Sequence, residues 1–220
     1  MSERARIAVF ARPVLAGQTK TRLSPALGPE GSARLYAAFL QDVLTTCEQL
    51  PDCDVELWVA GDPDHPTLRA YQLPRIDQPR ADLGARMHAA LAHRPGVPTV
   101  VVGSDSPTLP TALLHGALQR LRSREADVVL GPAVDGGFTL IGARAPRLPD
   151  LGPPIRWSHP QTLTDTVESC RRGGLRVAQL TPWYDVDTPA DLRVLSLQLA
   201  LQPQAAPTTA AALAAVGRPF

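Results

Sequence analysis

Lysine is almost absent from this chain. Of 22 basic residues in 220, only Lys20 is a lysine; the rest are arginine. Arginine offers a flat fork of donors and lysine a compact point charge on a flexible stem, so a site needing a small cation between phosphate oxygens tolerates the exchange poorly. Chance in an arginine-rich chain is the alternative. Other shortages narrow the function. A net charge of +1 gives no broad field for nucleic acid or an acidic membrane, so any polyanion recognised must be small and met locally. No apolar run approaches the roughly 20 residues that cross a bilayer. The 3 cysteines, Cys47, Cys53 and Cys170, follow no metal-type spacing, and their odd number argues against a disulfide framework. No secretory leader is discernible, so a cytoplasmic protein is expected, without membrane or nucleic-acid partners.

Proline, by contrast, is plentiful. Its 23 copies cluster in short connectors, which implies stiff loops. Short apolar runs at 7–11, 55–60, 99–103, 128–131, 138–141 and 175–180 read as strands. They alternate with helical patterns at 30–49, 83–92, 110–121, 160–172 and 189–201. Such alternation predicts parallel strands joined by crossover helices, an α/β three-layer sandwich with a mostly parallel sheet. Residues 1–200 read as one domain, and 201–220 as an irregular or weakly helical tail rich in Ala, Pro and Thr. Helix starts carry punctuation: Ser158 with Gln161 suggests a capping box, and Thr188 with Asp191 another. Asp82 reads as an N-cap, with Leu83 and Met87 in the core.

In open α/β sheets ligands bind beyond the carboxyl ends of the strands, so the loops there are the candidates. After the first strand, Gly17 lets the backbone approach a ligand, and Lys20 and Arg22 both reach one phosphate chain from an exposed loop. The spacing is not that of a P-loop, and a solvated basic loop is the bland alternative. After the fully apolar Val100-Val101-Val102, Asp105 is placed to hold a cation or to cap a helix; magnesium takes one or two carboxylates plus phosphates. Asp185 and Asp187, one residue apart, point the same way on an extended segment and could serve the same cation, although Asp187 could merely precede the Thr188 cap. Asp135-Gly136-Gly137 suits a tight reversal and leaves open whether Asp135 faces a substrate. Gly84, odd in the first turn of a helix, would let a flat base or sugar approach. The five histidines show no metal-ligand spacing.

Five segments recur in a known order: Phe10-Ala11-Arg12-Pro13 through Lys20-Thr21-Arg22-Leu23, Gly103-Ser104-Asp105-Ser106-Pro107, Asp135-Gly136-Gly137 with Ile141-Gly142, Trp157-Ser158, and Asp185-Val186-Asp187-Thr188-Pro189. Over about residues 5–195 the chain thereby resembles a bacterial family of arsenosugar-biosynthesis glycosyltransferases, also called radical-SAM/selenodomain-associated transferases. That family is similar to the 2-phospholactate and molybdenum-cofactor guanylyltransferases. The resemblance implies a glycosyltransferase-A-like, Rossmann-related fold that binds a nucleotide with magnesium. It implies nucleotide contacts from Ala11, Arg12, Gly17, Lys20, Arg22, Gln78, Gly84 and Ser104, and metal ligation by Asp105, Asp185 and Asp187. Acceptor contacts would come from Ser106, Asp135, Gly136 and Gly137. Ser106 and Phe138-Thr139 depart from the cysteine and paired tyrosines common in the family, which puts the acceptor in question.

The expected chemistry is magnesium-dependent nucleotidyl transfer from a nucleoside triphosphate to a phosphate- or phosphonate-bearing small molecule, with Lys20, Arg22 and Asp105 catalytic. Such a reaction asks for positioning and charge neutralisation rather than a covalent nucleophile. A glycosyltransferase using a nucleotide sugar is the rival, and a non-catalytic nucleotide-binding module a third reading. Base, acceptor and oligomeric state are not written in the sequence.

Overall fold

The computed structural model describes residues 4–216. Its strands are β1 (Ala5–Ala11), β2 (Cys53–Val59), β3 (Arg75–Asp77), β4 (Thr99–Gly103), β5 (Val128–Pro132), β6 (Phe138–Ala143) and β7 (Val177–Gln179). Between and after them run α1 (Ser24–Glu48), α2 (Pro66–Arg69), α3 (Leu83–Ala92), α4 (Thr111–Arg122), α5 (Thr162–Arg172), α6 (Pro189–Leu201) and α7 (Pro207–Val216). The strands form one sheet in the order β3-β2-β1-β4-β6-β5-β7. Only β6 runs against its neighbours, because the Asp135-Gly136-Gly137 turn reverses the chain into it.

Alternation along β1 divides the core into layers. Ile7 and Val9 pack with Leu40, Val43 and Leu44 of α1 and with Leu114 and Leu118 of α4. Ala8 faces the opposite way, toward Met87 and Leu91 of α3 and Val167 of α5. Strands whose two faces are both covered read as continuous apolar runs, and Val100, Val101 and Val102 are each at most 3% exposed. This is the expected three-layer α/β sandwich with a mostly parallel sheet, and it carries the carboxyl ends of β1 and β4 side by side to one edge.

Several local expectations need correction. β3 went unread because three residues flanked by prolines are too short to show a period. No capping box forms at Ser158: that residue has φ 56, and α5 starts at Thr162, whose hydroxyl lies 2.6 Å from the Arg156 carbonyl and 2.7 Å from that of His159. The Thr188–Asp191 box does form, and Asp82 does cap α3. Met87 is buried, but Leu83, at the first position of α3, is 39% exposed on the cleft rim. The expected tail contains α7, which docks on α1. The Asp42 carboxylate of α1 accepts the amides of Thr208 and Thr209 at 3.1 and 2.7 Å, satisfying two donors that a helix start leaves open.

Candidate active site

A cleft of about 570 Å³ opens where β1 and β4 end, within the usual size range of small-molecule sites. The β1–α1 connection contributes Arg12, Gln18, Lys20 and Arg22; the β4–α4 connection contributes Ser104, Asp105 and Ser106; the segment before α6 contributes Asp185 and Asp187. The β4–α4 connection and the segment before α6 meet because the Val186 amide donates to the Asp105 carbonyl at 2.9 Å. The Thr188 cap then fixes the approach to α6: the Asp191 carboxylate accepts the amides of Thr188 and Asp187 at 2.7 and 3.1 Å. Capping and site membership are therefore compatible at Asp187, whose own carboxylate is left to face the cleft.

Lys20 stands at the centre. Its Nζ lies 2.6 Å from Asp187 Oδ1, 2.6 Å from the Val186 carbonyl and 2.8 Å from Asp105 Oδ1. Burial alone would lower its pKa, but the two carboxylates outweigh burial and raise it, so the ammonium stays charged. The expectation of an exposed lysine is wrong. The side chain is 6% exposed because the left-handed Lys20 backbone, φ 49, turns it inward beside the Phe39 ring. Arg12 and Arg22 are exposed and form no salt bridge among the described residues. Asp185 is driven the other way: burial first, then the neighbouring Asp135 and Asp187 charges, lift its pKa to about 6.

Tyr36, on α1, carries no sequence signal for a site. Its hydroxyl accepts the Arg12 amide at 3.0 Å and lies 3.0 Å from the Ser104 hydroxyl, so it links the two central loops. Burial pushes its pKa up to about 12, which keeps the phenol protonated as a linker. Arg86, which was not singled out, also lines the cleft, as do Phe138, Thr139 and Ser158, which the sequence offered only as parts of motifs.

Not every expected residue reaches the cleft. Ala11, Arg12, Lys20, Arg22, Gln78, Ser104, Ser106, Asp105, Asp185 and Asp187 line it. Gln78 is anchored through its amide to the Trp58 carbonyl at 2.7 Å. Gly84 does not line it: a Cβ there would lie 2.1 Å from the Leu151 carbonyl oxygen, so this glycine lets α3 pack on a neighbouring backbone rather than admitting a ligand. Gly136, φ 91, likewise lies against the Pro160 backbone, where a Cβ would come to 2.0 Å. Asp135 accepts the Gly137 amide at 2.8 Å, the turn-forming role; it and Gly137 are outside the lining, although the Asp135 charge is felt at Asp185. Gly17, φ 76, shapes the turn before Lys20 and is also outside the lining.

The parallel-sheet sandwich, with a basic loop facing acids at its carboxyl edge, places the chain in a class, the transferases of the nucleotide-diphospho-sugar transferase fold. Within that class the chain belongs to the DUF2064 family, described as an uncharacterized protein conserved in bacteria, whose model matches residues 43–159. A candidate nucleotide-diphospho-sugar transferase from Desulfovibrio desulfuricans G20 is 36% identical, with 97% of this chain and 94% of that one aligned at a TM-score of 0.86. The fold is shared with a CMP:2-keto-3-deoxy-manno-octonic acid synthetase solved with CTP, at 12% identity, 90% and 99% coverage and TM-score 0.60. It is also shared with the molybdopterin-guanine dinucleotide biosynthesis protein A of Archaeoglobus fulgidus, at 14% identity, 89% and 99% coverage and TM-score 0.56. No curated protein matches the sequence.

Proposed function

We propose that this cleft performs magnesium-dependent nucleotidyl transfer: an oxygen of a small acceptor attacks the α-phosphorus of a nucleoside triphosphate, and pyrophosphate leaves. The observation that carries the reading is the facing of Arg12, Lys20 and Arg22 against Asp105 and Asp187 across one cleft. Arg12 and Arg22, without acid partners, would bind the phosphate chain. Lys20 would meet charge building on the leaving pyrophosphate. Tyr36 would hold the two loops in register, and Ser104 and Gln78 would border the nucleotide. Ser106 and Asp135 would flank the acceptor, whose phosphate- or phosphonate-bearing nature rests on the family resemblance, as does a role in arsenosugar chemistry.

A hard divalent cation fits the donors present. An ammonium already bridges Asp105 and Asp187, showing that the gap accepts a compact positive charge. Among the described residues no three His, Cys, Asp or Glu converge into a ready-made metal cluster. Magnesium takes one or two carboxylates and completes its shell with phosphates and water. Asp105 and Asp187 would hold it, with Asp185 beside them. When bound, the cation neutralises charge on the phosphates.

Glycosyl transfer from a nucleotide sugar is the second reading, favoured by the Desulfovibrio relative. Incubation with magnesium, a panel of nucleoside triphosphates and nucleotide sugars, and candidate acceptors separates the two. Acceptor-dependent pyrophosphate supports nucleotidyl transfer. Nucleoside diphosphate released from a nucleotide sugar selects the second reading, and failure to bind either donor class contradicts both.

A further inference from the structure

An ammonium has three N–H donors, and three oxygens already surround that of Lys20. Two are carboxylate oxygens, at 2.6 and 2.8 Å, and the third is the Val186 carbonyl at 2.6 Å. In this state Lys20 cannot donate to a phosphate without giving up one of these three oxygens. A cation bound at about 2.0–2.1 Å from its ligands cannot bridge Asp105 and Asp187 while the ammonium stands between them.

Resting on the nucleotide-transferase reading of this cleft, we propose that Lys20 is a built-in stand-in for the divalent cation, released to the phosphates only when metal and nucleotide arrive together. Metal alone would strand a nearly buried ammonium. Nucleotide alone would draw the ammonium away and leave two carboxylates facing each other. Either outcome leaves a charge without its partner, which is the costly way to break an ion pair. Together the exchange is balanced: the acids take the metal and the lysine takes a phosphate. The flexible four-carbon stem permits the swing, and the loop turns at Gly17, where nothing lies within 4 Å of the Cβ direction. Metal and nucleotide therefore bind with positive coupling, each raising the affinity for the other by the same factor.

The test is Mn2+ binding without nucleotide, read by electron paramagnetic resonance, for the wild type, Lys20→Met, Lys20→Gln and the control Arg22→Gln. Removing the stand-in is expected to tighten Mn2+ binding at least tenfold, while Arg22→Gln changes it less than threefold. Equal Mn2+ affinity in wild type and both Lys20 variants overturns the proposal, as does equal tightening by Arg22→Gln. A second readout needs no variant, because Lys20 is the only lysine and its labelled ε-carbon gives one side-chain NMR signal. With ATP, GTP, CTP and UTP in turn, that signal is expected to shift when Mg2+ and a nucleotide are both present, and to stay with either alone. A full shift with Mg2+ alone overturns the stand-in role. If nucleotide still binds with metal, the transferase reading survives that result; if no nucleotide binds under any condition, both fall.

Discussion

The two edges of the sheet treat charge in opposite ways. At the edge where β1 and β4 begin, Arg6 is fully buried and Glu56 is 1% exposed. The Glu56 carboxylate accepts from Arg6 Nη2 at 2.5 Å, Arg6 Nε at 3.2 Å and Trp58 Nε1 at 3.3 Å, and pairs with Arg94 Nη2 at 2.9 Å. Burial would raise its pKa, but Arg6, Trp58 and Arg94 together lower it. Beside β5 on the same edge, Asp127 is held by Arg176 and Arg147. Glu56 and Asp127 thus each have two arginines as partners. At the other edge Arg12 and Arg22 have no acid partner among the described residues, one lysine serves two acids, and Asp185 is crowded by Asp135 and Asp187. Paired charge holds the fold; charge left open marks the site.

Breaking the first edge has the largest expected effect. Glu56→Ala strands Arg6 inside the protein and should lower unfolding free energy by about 3–5 kcal/mol in a urea titration, with nucleotide binding per folded molecule unchanged. A loss under about 1 kcal/mol would show the network to be dispensable.

Asp127→Asn should cost about 2 kcal/mol at neutral pH, the scale of hydrogen bonds to a charged group. The sign follows from direction. Hydrogen bonds from Arg176, followed by those from Arg147, hold the Asp127 pKa well below the ordinary carboxylate value, so the stabilisation is present above that value. It fades as pH falls through the depressed folded pKa, so melts of wild type and variant should stay apart at neutral pH and converge below about pH 4.

At the open edge function should fall more than stability. Lys20→Ala should slow turnover at least tenfold, about 1.4 kcal/mol of transition-state stabilisation, and Lys20→Arg should rescue it only in part. Because the lysine is buried between acids, the Ala variant should also lose about 1 kcal/mol of stability, a cost that added magnesium and nucleotide offset. Unchanged turnover in both variants at saturating magnesium would remove Lys20 from the chemistry.

The smallest effect concerns the C-terminal segment. Asp42→Ala removes the acceptor for two amides of α7 and should cost about 1 kcal/mol, read as faster amide exchange over residues 207–216 with binding intact.

What the sequence disclosed follows from range. Periodicity located β4, α3 and α6 with the bounds they have in the structure, because burial on one or two faces is written locally. Lys20, Asp105, Asp185 and Asp187 were legible as loop residues at strand ends, and all four line one cleft. Tyr36 was not, because its partners are the Arg12 amide and Ser104 hydroxyl, and contacts across 24 and 68 residues leave no local pattern. Gly84 looked like an opening for a ligand and Gly136 like part of a tight reversal, yet each is a close approach of two backbones, which only the fold reveals. Arg6 was not singled out either, and its buried partner is Glu56, fifty residues away.

The most direct measurement is calorimetric titration of ATP, GTP, CTP and UTP into wild type and Asp105→Asn, with and without magnesium. The open edge should bind at least one triphosphate in a magnesium-dependent way, and Asp105→Asn should weaken that binding tenfold or more while thermal unfolding changes little. Triphosphate binding of equal strength in both proteins and indifferent to magnesium would contradict the assignment of this edge as a metal–nucleotide site.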